Sequence, residues 1–140
     1  MAPEDLEWLD DQGIAAWDSH DADGFTDLLA DDFIWTDTTL QEPIRTKEQA
    51  RQYTETWFTA FPDMSLVRTN RVVGEDTVAG EIEFTGTNNG PMQMGGNELP
   101  PTGKSVHGKG AYFVQVRDGK IHRFSTYPDI AGMMMQLGML

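Results

Sequence analysis

The chain of 140 residues contains no cysteine, which excludes a disulfide framework, a thiolate metal site and a cysteine nucleophile. Basic residues are scarce: 10 Lys and Arg stand against 23 Asp and Glu, for a net charge of −13. A phosphate-binding face needs the opposite balance, so neither nucleic acid nor an anionic membrane surface is an expected partner. No apolar run approaches the roughly 20 residues of a membrane span. The opening Met1-Ala2-Pro3-Glu4-Asp5 is acidic where a secretory leader would be basic and then apolar. A Gly-rich phosphate loop is missing, as is a helical His pair at metal-ligand spacing. The expectation is one soluble, cytoplasmic domain over residues 1–140, working without metal or other cofactor.

What is present is a globular composition, 39% hydrophobic and 24% charged, enough for a single core. The acids crowd the first third, at Asp10, Asp11, Asp18, Asp21, Asp23, Asp27, Asp31 and Asp32, while lysine occurs only at Lys47, Lys104, Lys109 and Lys120. Two readings fit: a solvated, self-repelling surface, or adaptation to high salt. The first is adopted, because one chain does not establish a habit of its proteome.

Leu6, Leu9, Ile14 and Trp17 form one helical stripe over Glu4 to Ser19, with Pro3 and the acids that follow it suited to a first turn. His20 to Gly24 breaks this helix. A short helix through Phe25, Leu28 and Leu29 is expected next, then a strand over Phe33-Ile34-Trp35-Thr36. Thr46 with Gln49 three residues on reads as a capping box for a third helix carrying Ala50, Tyr53, Trp57 and Phe61. After Pro62-Asp63 the period changes to strand alternation over Val78 to Gly86. Asn88 to Gly103 reads as a long loop. Ser105 to Arg117 is a long strand, Asp118-Gly119 a hairpin turn into Lys120 to Tyr127, and Asp129 opens a short final helix. Helices first and a meander second is an α+β order.

Five stretches, in order, resemble the SnoaL-like polyketide cyclase branch of the nuclear-transport-factor-2-like (NTF2-like) superfamily. They are Ala16-Trp17-Asp18-Ser19-His20-Asp21-Ala22-Asp23 leading to Phe33-Ile34-Trp35; Glu42-Pro43-Ile44-Arg45 before a helix ending Trp57-Phe58-Thr59-Ala60-Phe61-Pro62-Asp63; Phe84-Thr85-Gly86-Thr87-Asn88-Asn89-Gly90 with Pro100-Pro101-Thr102-Gly103-Lys104; Val116-Arg117-Asp118-Gly119-Lys120-Ile121; and Tyr127-Pro128-Asp129 running to Gln136-Leu137-Gly138. The resemblance implies a cone-shaped, curved antiparallel or mixed sheet, three N-terminal helices on its concave face, a short C-terminal helix and a pocket at the open end. It also implies a homodimer or larger homo-oligomer, and the exposed sheet face, with Phe113, Ala111 and Ala79, is where self-association is expected. Function follows less directly, because one fold hosts isomerases, cyclases, hydrolases and carriers.

Aldol cyclisation and double-bond isomerisation both begin with removal of a proton beside a carbonyl. They need a carboxylate base, a donor for the developing oxyanion and an aromatic box for a planar, hydrophobic, polyketide-like substrate. Asp129 sits where the resemblance places the family's acid/base aspartate, with Tyr127 as its partner. The same Asp before Ile130-Ala131-Gly132 also reads as a helix N-cap. His107 is the second candidate base or donor. Strand parity turns it outward with Lys109, unless a bulge at Gly108 or Gly110 resets the register. Trp35, Trp57, Phe61, Tyr53 and Met133 are the expected pocket lining. Three rivals remain: a non-catalytic binder of apolar molecules, a protein-interaction module, and an epoxide hydrolase using Asp37, Arg123 and Asp129.

Overall fold

In a computed structural model, which describes residues 2–140, helix α1 (Pro3–Asp18) starts on Pro3 with Glu4 and Asp5 in its first turn. Helix α2 (Ala22–Thr26) follows, with the Asp21 carboxylate accepting from Gly24 N at 2.9 Å. The short helix therefore begins inside the segment expected to break α1, because Asp21 caps it. Leu29 opens strand β1 (Leu29–Asp37), which is longer than expected at both ends. Helix α3 (Lys47–Ala60) has the expected cap, Thr46 Oγ1 accepting from Gln49 N at 3.1 Å. The Gln49 side chain closes the motif on Arg45 N at 3.2 Å.

Strands β2 (Ser65–Val73), β3 (Thr77–Thr87), β6 (Ser105–Arg117) and β7 (Lys120–Pro128) complete a mixed sheet ordered β1-β7-β6-β3-β2. Among the described residues, the β1–β7 pair is parallel and the other pairs of this sheet are antiparallel. The turn from β6 to β7 is Asp118-Gly119, both at positive φ as a tight hairpin requires. Within the expected long loop lies a small hairpin, β4 (Met92–Met94) and β5 (Asn97–Leu99), turned by Gly95-Gly96. Helix α4 (Ile130–Gln136) ends the fold. None of the described helices is long and apolar enough to cross a membrane.

Strand β2 has no counterpart in the sequence reading, and its inward positions explain why. Arg68 and Arg71 reach back to α1, where Arg68 pairs with Asp10 at 2.9 Å and Arg71 with Asp11 at 2.8 Å. An edge strand that turns guanidinium groups toward a helix shows no hydrophobic alternation.

The concave face holds the main core, where Leu6, Leu9 and Ala16 of α1 meet Val78, Tyr112 and Val114 of the sheet. Two cross-strand pairs shape this face. A Cβ on Gly80 would stand 2.4 Å from the Tyr112 ring, and one on Gly108 would stand 2.1 Å from the Phe84 ring. Each glycine leaves the space in which the opposite ring lies. A second cluster, with Phe61, Phe84, Val106, Met133 and Leu137, fills the end closed by α4. The convex face keeps Phe113 and Tyr127 about half exposed, edge-on to each other at 6.1 Å.

Two polar features tie the ends together. Asn88 is fully buried; its amide donates to Ala60 O and Gly90 O and accepts from Thr102 N and Thr102 Oγ1, all at 3.0–3.1 Å. Pairing of β6 with β7 stops at Gly110–Pro128, which leaves one edge of residues 105–109 without a strand. Asp129 N donates to Lys109 O there, while Gln136 accepts from His107 N at 2.8 Å and donates to His107 O at 2.9 Å.

Candidate active site

A cavity of about 120 Å³ lies between α1, α3 and the concave sheet. Its walls are mainly apolar and carry a group of aromatic rings: Trp35 meets Tyr53, Phe124 and Trp17 at ring-centre distances of 5.2, 5.0 and 6.2 Å. Among the described residues, the charged ones that line it are Asp10 and Asp37, with no Lys, Arg or His in its wall.

Asp10 stands on the inward stripe of α1, beside Leu6 and Leu9. Its Oδ1 accepts from the Tyr112 hydroxyl at 2.6 Å and its Oδ2 from Arg68 at 2.9 Å. This carboxylate is neutralised by a guanidinium. Asp37 ends the inward alternation Phe33-x-Trp35-x-Asp37 of β1. Its Oδ1 accepts from Thr39 N at 2.8 Å and Thr39 Oγ1 at 2.6 Å, and its Oδ2 accepts from the Thr126 hydroxyl. Thr126 in turn accepts from Trp35 Nε1 at 2.9 Å, and the Tyr53 hydroxyl lies 2.8 Å from Thr39 Oγ1. Asp37 enters no ion pair among the described residues.

Burial pushes both phenols up, helped by the negative charge of Asp37 at Tyr53 and by the hydrogen bond to Asp10 at Tyr112. A phenol raised in the folded state adds stability that is complete below about pH 10, the ordinary phenol value, and is lost as pH rises through the folded values. Absorbance titration should therefore show two phenols still protonated above the usual range while the fold persists. Tyr53→Phe and Tyr112→Phe should each remove one late step. A parent curve unchanged by either substitution would contradict the burial of these hydroxyls.

Trp35, Tyr53 and Trp57 line the cavity, and other candidates stand outside it. Asp129 is exposed; its carboxylate accepts from Gly132 N at 2.9 Å, so it caps α4 instead of facing the cavity. His107 lies on the convex face beside Glu83 at 3.5 Å, because β3 and β6 pair without a bulge and Gly108 serves to admit the Phe84 ring. Tyr127 reaches the cavity rim, but its side chain is half exposed and packs on Phe113. Phe61 and Met133 are buried in the second cluster behind the wall. The Asp37, Arg123 and Asp129 set of an epoxide hydrolase is not assembled, since Arg123 and Asp129 are both exposed and only Asp37 lines the cavity. Among the described residues, no group of three His, Asp or Glu converges on a point that could hold a metal ion.

In the sequence Asp10 is one of a crowd of acids, and Asp37 enters only the hydrolase alternative. Parity was the available signal: Asp10 falls on the apolar stripe of a helix, and Asp37 on the apolar side of a strand.

Residues 9–137 match the family model described as SnoaL-like polyketide cyclase. Among solved structures, AclR of Streptomyces galilaeus, a candidate hydroxylase, superposes with a TM-score of 0.84 at 23% identity, over 99% of this chain and 84% of its own. TsrD of Streptomyces laurentii gives 0.84 at 21% identity, over 100% and 99%. IdmH of Streptomyces antibioticus, a candidate polyketide cyclase, gives 0.76 at 26% identity, over 99% of each. No curated protein sequence matches the chain.

Proposed function

We propose that this chain, which belongs to the SnoaL-like polyketide cyclase family, closes or rearranges a ring in a neutral, hydrophobic, polyketide-like carbonyl compound, with Asp37 as its base. The observation that carries the reading is a carboxylate without a counter-ion, set in the wall of an aromatic cavity. Asp10 is instead engaged by the Arg68 guanidinium at 2.9 Å, as part of the ion pairing between α1 and β2. Asp37 lines the cavity and meets only hydroxyls and one backbone N–H among the described residues, which places its carboxylate where a substrate's proton beside a carbonyl would lie. Trp35, Tyr53 and Trp57 offer faces to a planar substrate. Tyr112 donates its hydrogen to Asp10 and leaves its oxygen to accept from a substrate hydroxyl.

The test uses ortho-acetylphenylacetone, an aromatic diketone whose aldol closure gives a hydroxytetralone and, after loss of water, a naphthol. In heavy water, NMR reads both deuterium entry beside the carbonyls and the closed ring, while tryptophan fluorescence reads binding. Exchange and closure above the buffer rate are expected. Fluorescence quenching with neither reaction would instead establish a non-catalytic binder.

A further inference from the structure

The geometry points to Tyr53 as the acid of the ring closure, recharged from Asp37 through the Thr39 hydroxyl behind the cavity wall. The inference rests on Asp37 being the base. Asp37 and Tyr53 both line the cavity, Thr39 does not, and the Thr39 Oγ1 lies 2.6 Å from Asp37 Oδ1 and 2.8 Å from the Tyr53 oxygen. The direction of the bonds follows from counting hydrogens. An ionised carboxylate only accepts, so Thr39 gives its single hydroxyl hydrogen to Asp37, and Tyr53 must then donate to Thr39. The chain is polarised from the phenol to the carboxylate, and protonation of Asp37 reverses it.

An aldol closure needs that reversal. Removal of the proton beside the carbonyl breaks a carbon–hydrogen bond, leaving the electron pair in the enolate and the proton on Asp37. The enolate carbon then attacks the second carbonyl, which forms the carbon–carbon bond and leaves an alkoxide. Tyr53 gives its proton to the alkoxide and takes one from Thr39, and Thr39 takes one from Asp37. The cycle ends with a neutral aldol and the starting carboxylate, and water is not a reactant. Burial and the neighbouring Asp37 charge hold the Tyr53 phenol in its protonated form across the neutral range.

The two half-reactions are separable in the same assay. Thr39→Val keeps both end groups and removes the hydroxyl between them; Tyr53→Phe removes the acid and keeps the ring. With ortho-acetylphenylacetone in heavy water, both variants keep the Asp37 carboxylate and should lose deuterium exchange by a clearly smaller factor than closure. Both should lose closure by roughly 10- to 100-fold, the lower part of the range for acid catalysis. Thr39→Ser, which restores a hydroxyl, should recover closure. A merely structural role for Thr39 would lower exchange and closure together, and that result, or closure unaffected in Tyr53→Phe, overturns the relay. Absence of exchange in the parent would overturn the base assignment and the relay with it, whereas exchange without the split removes the relay alone.

Discussion

Replacing Asp37 with asparagine is expected to leave a folded protein that has lost roughly 10²- to 10⁴-fold of its turnover, the usual effect of removing a general base. The amide keeps the shape of the carboxylate, and its oxygen can still accept from Thr39 N and Thr39 Oγ1. On the other side, the new NH₂ meets the Thr126 oxygen, whose hydrogen can swing toward Thr36 O at 3.5 Å. The melting temperature should therefore move little, and tryptophan quenching by a planar ketone should persist. Asp129→Asn is the companion variant. Asn caps a helix nearly as well as Asp, and the Asp129 carboxylate holds Gly132 N outside the cavity, so activity should survive. A folded Asp37→Asn protein with full turnover, or an inactive Asp129→Asn protein, would return the base to the end of β7.

The largest expected loss of stability comes from Asn88. Replacement by alanine strips partners from Gly90 O, Thr102 N and the Thr102 hydroxyl, and leaves Ala60 O with Gly90 N alone, around a side chain that is itself sealed from water. Each buried group left unpaired costs about 1–3 kcal/mol, and relaxation will return some of that, for a total on the order of 4 kcal/mol. Against the roughly 5–15 kcal/mol that holds a domain folded, this is a large fraction. A fall in melting temperature of about 10 °C or more is expected. Asp at the same position should do no better, since a carboxylate cannot donate to the two carbonyls. Asn89, the exposed neighbour, is the control: its alanine variant should stay within about 0.5 kcal/mol of the parent. Similar melting of the two alanine variants would show that the Asn88 network carries no weight.

Those two adjacent asparagines also mark the limit of what the sequence discloses. Nothing in the letters separates Asn88 from Asn89, because the difference is made by Ala60 and Thr102, both distant in sequence. Legibility was best where one element contained its own signal. The stripe of α1, the Thr46 cap, the Asp118-Gly119 turn and the exact span of β6 all match the structure. Three aromatics singled out by size and by helical or strand spacing, Trp35, Tyr53 and Trp57, line the cavity. Partner-dependent features were hidden. Strand β2 owes its inward arginines to acids on α1, and Gly108 owes its presence to a ring on another strand. The proposed base is hidden for a related reason. Asp129 occupies the position the resemblance marks, but its contacts are those of a cap. Asp37 stands just past the expected strand Phe33-Ile34-Trp35-Thr36 and enters the sequence reading only in the hydrolase set.

Gln136 has a consequence for how the molecule behaves in company. With β7 ended at Pro128, the outer edge of β6 would present a backbone N–H and C=O at His107 to any passing strand, and the Gln136 amide occupies both. A single side chain thus stands in for a neighbouring strand, in the way that natural sheets cover edges to discourage intermolecular pairing. Helix α4 is only seven residues long, too short to hold its shape without the contacts it makes. Its detachment would uncover an adhesive sheet margin while the rest of the sheet remained intact, so local opening at this end is a route to aggregation that does not require global unfolding.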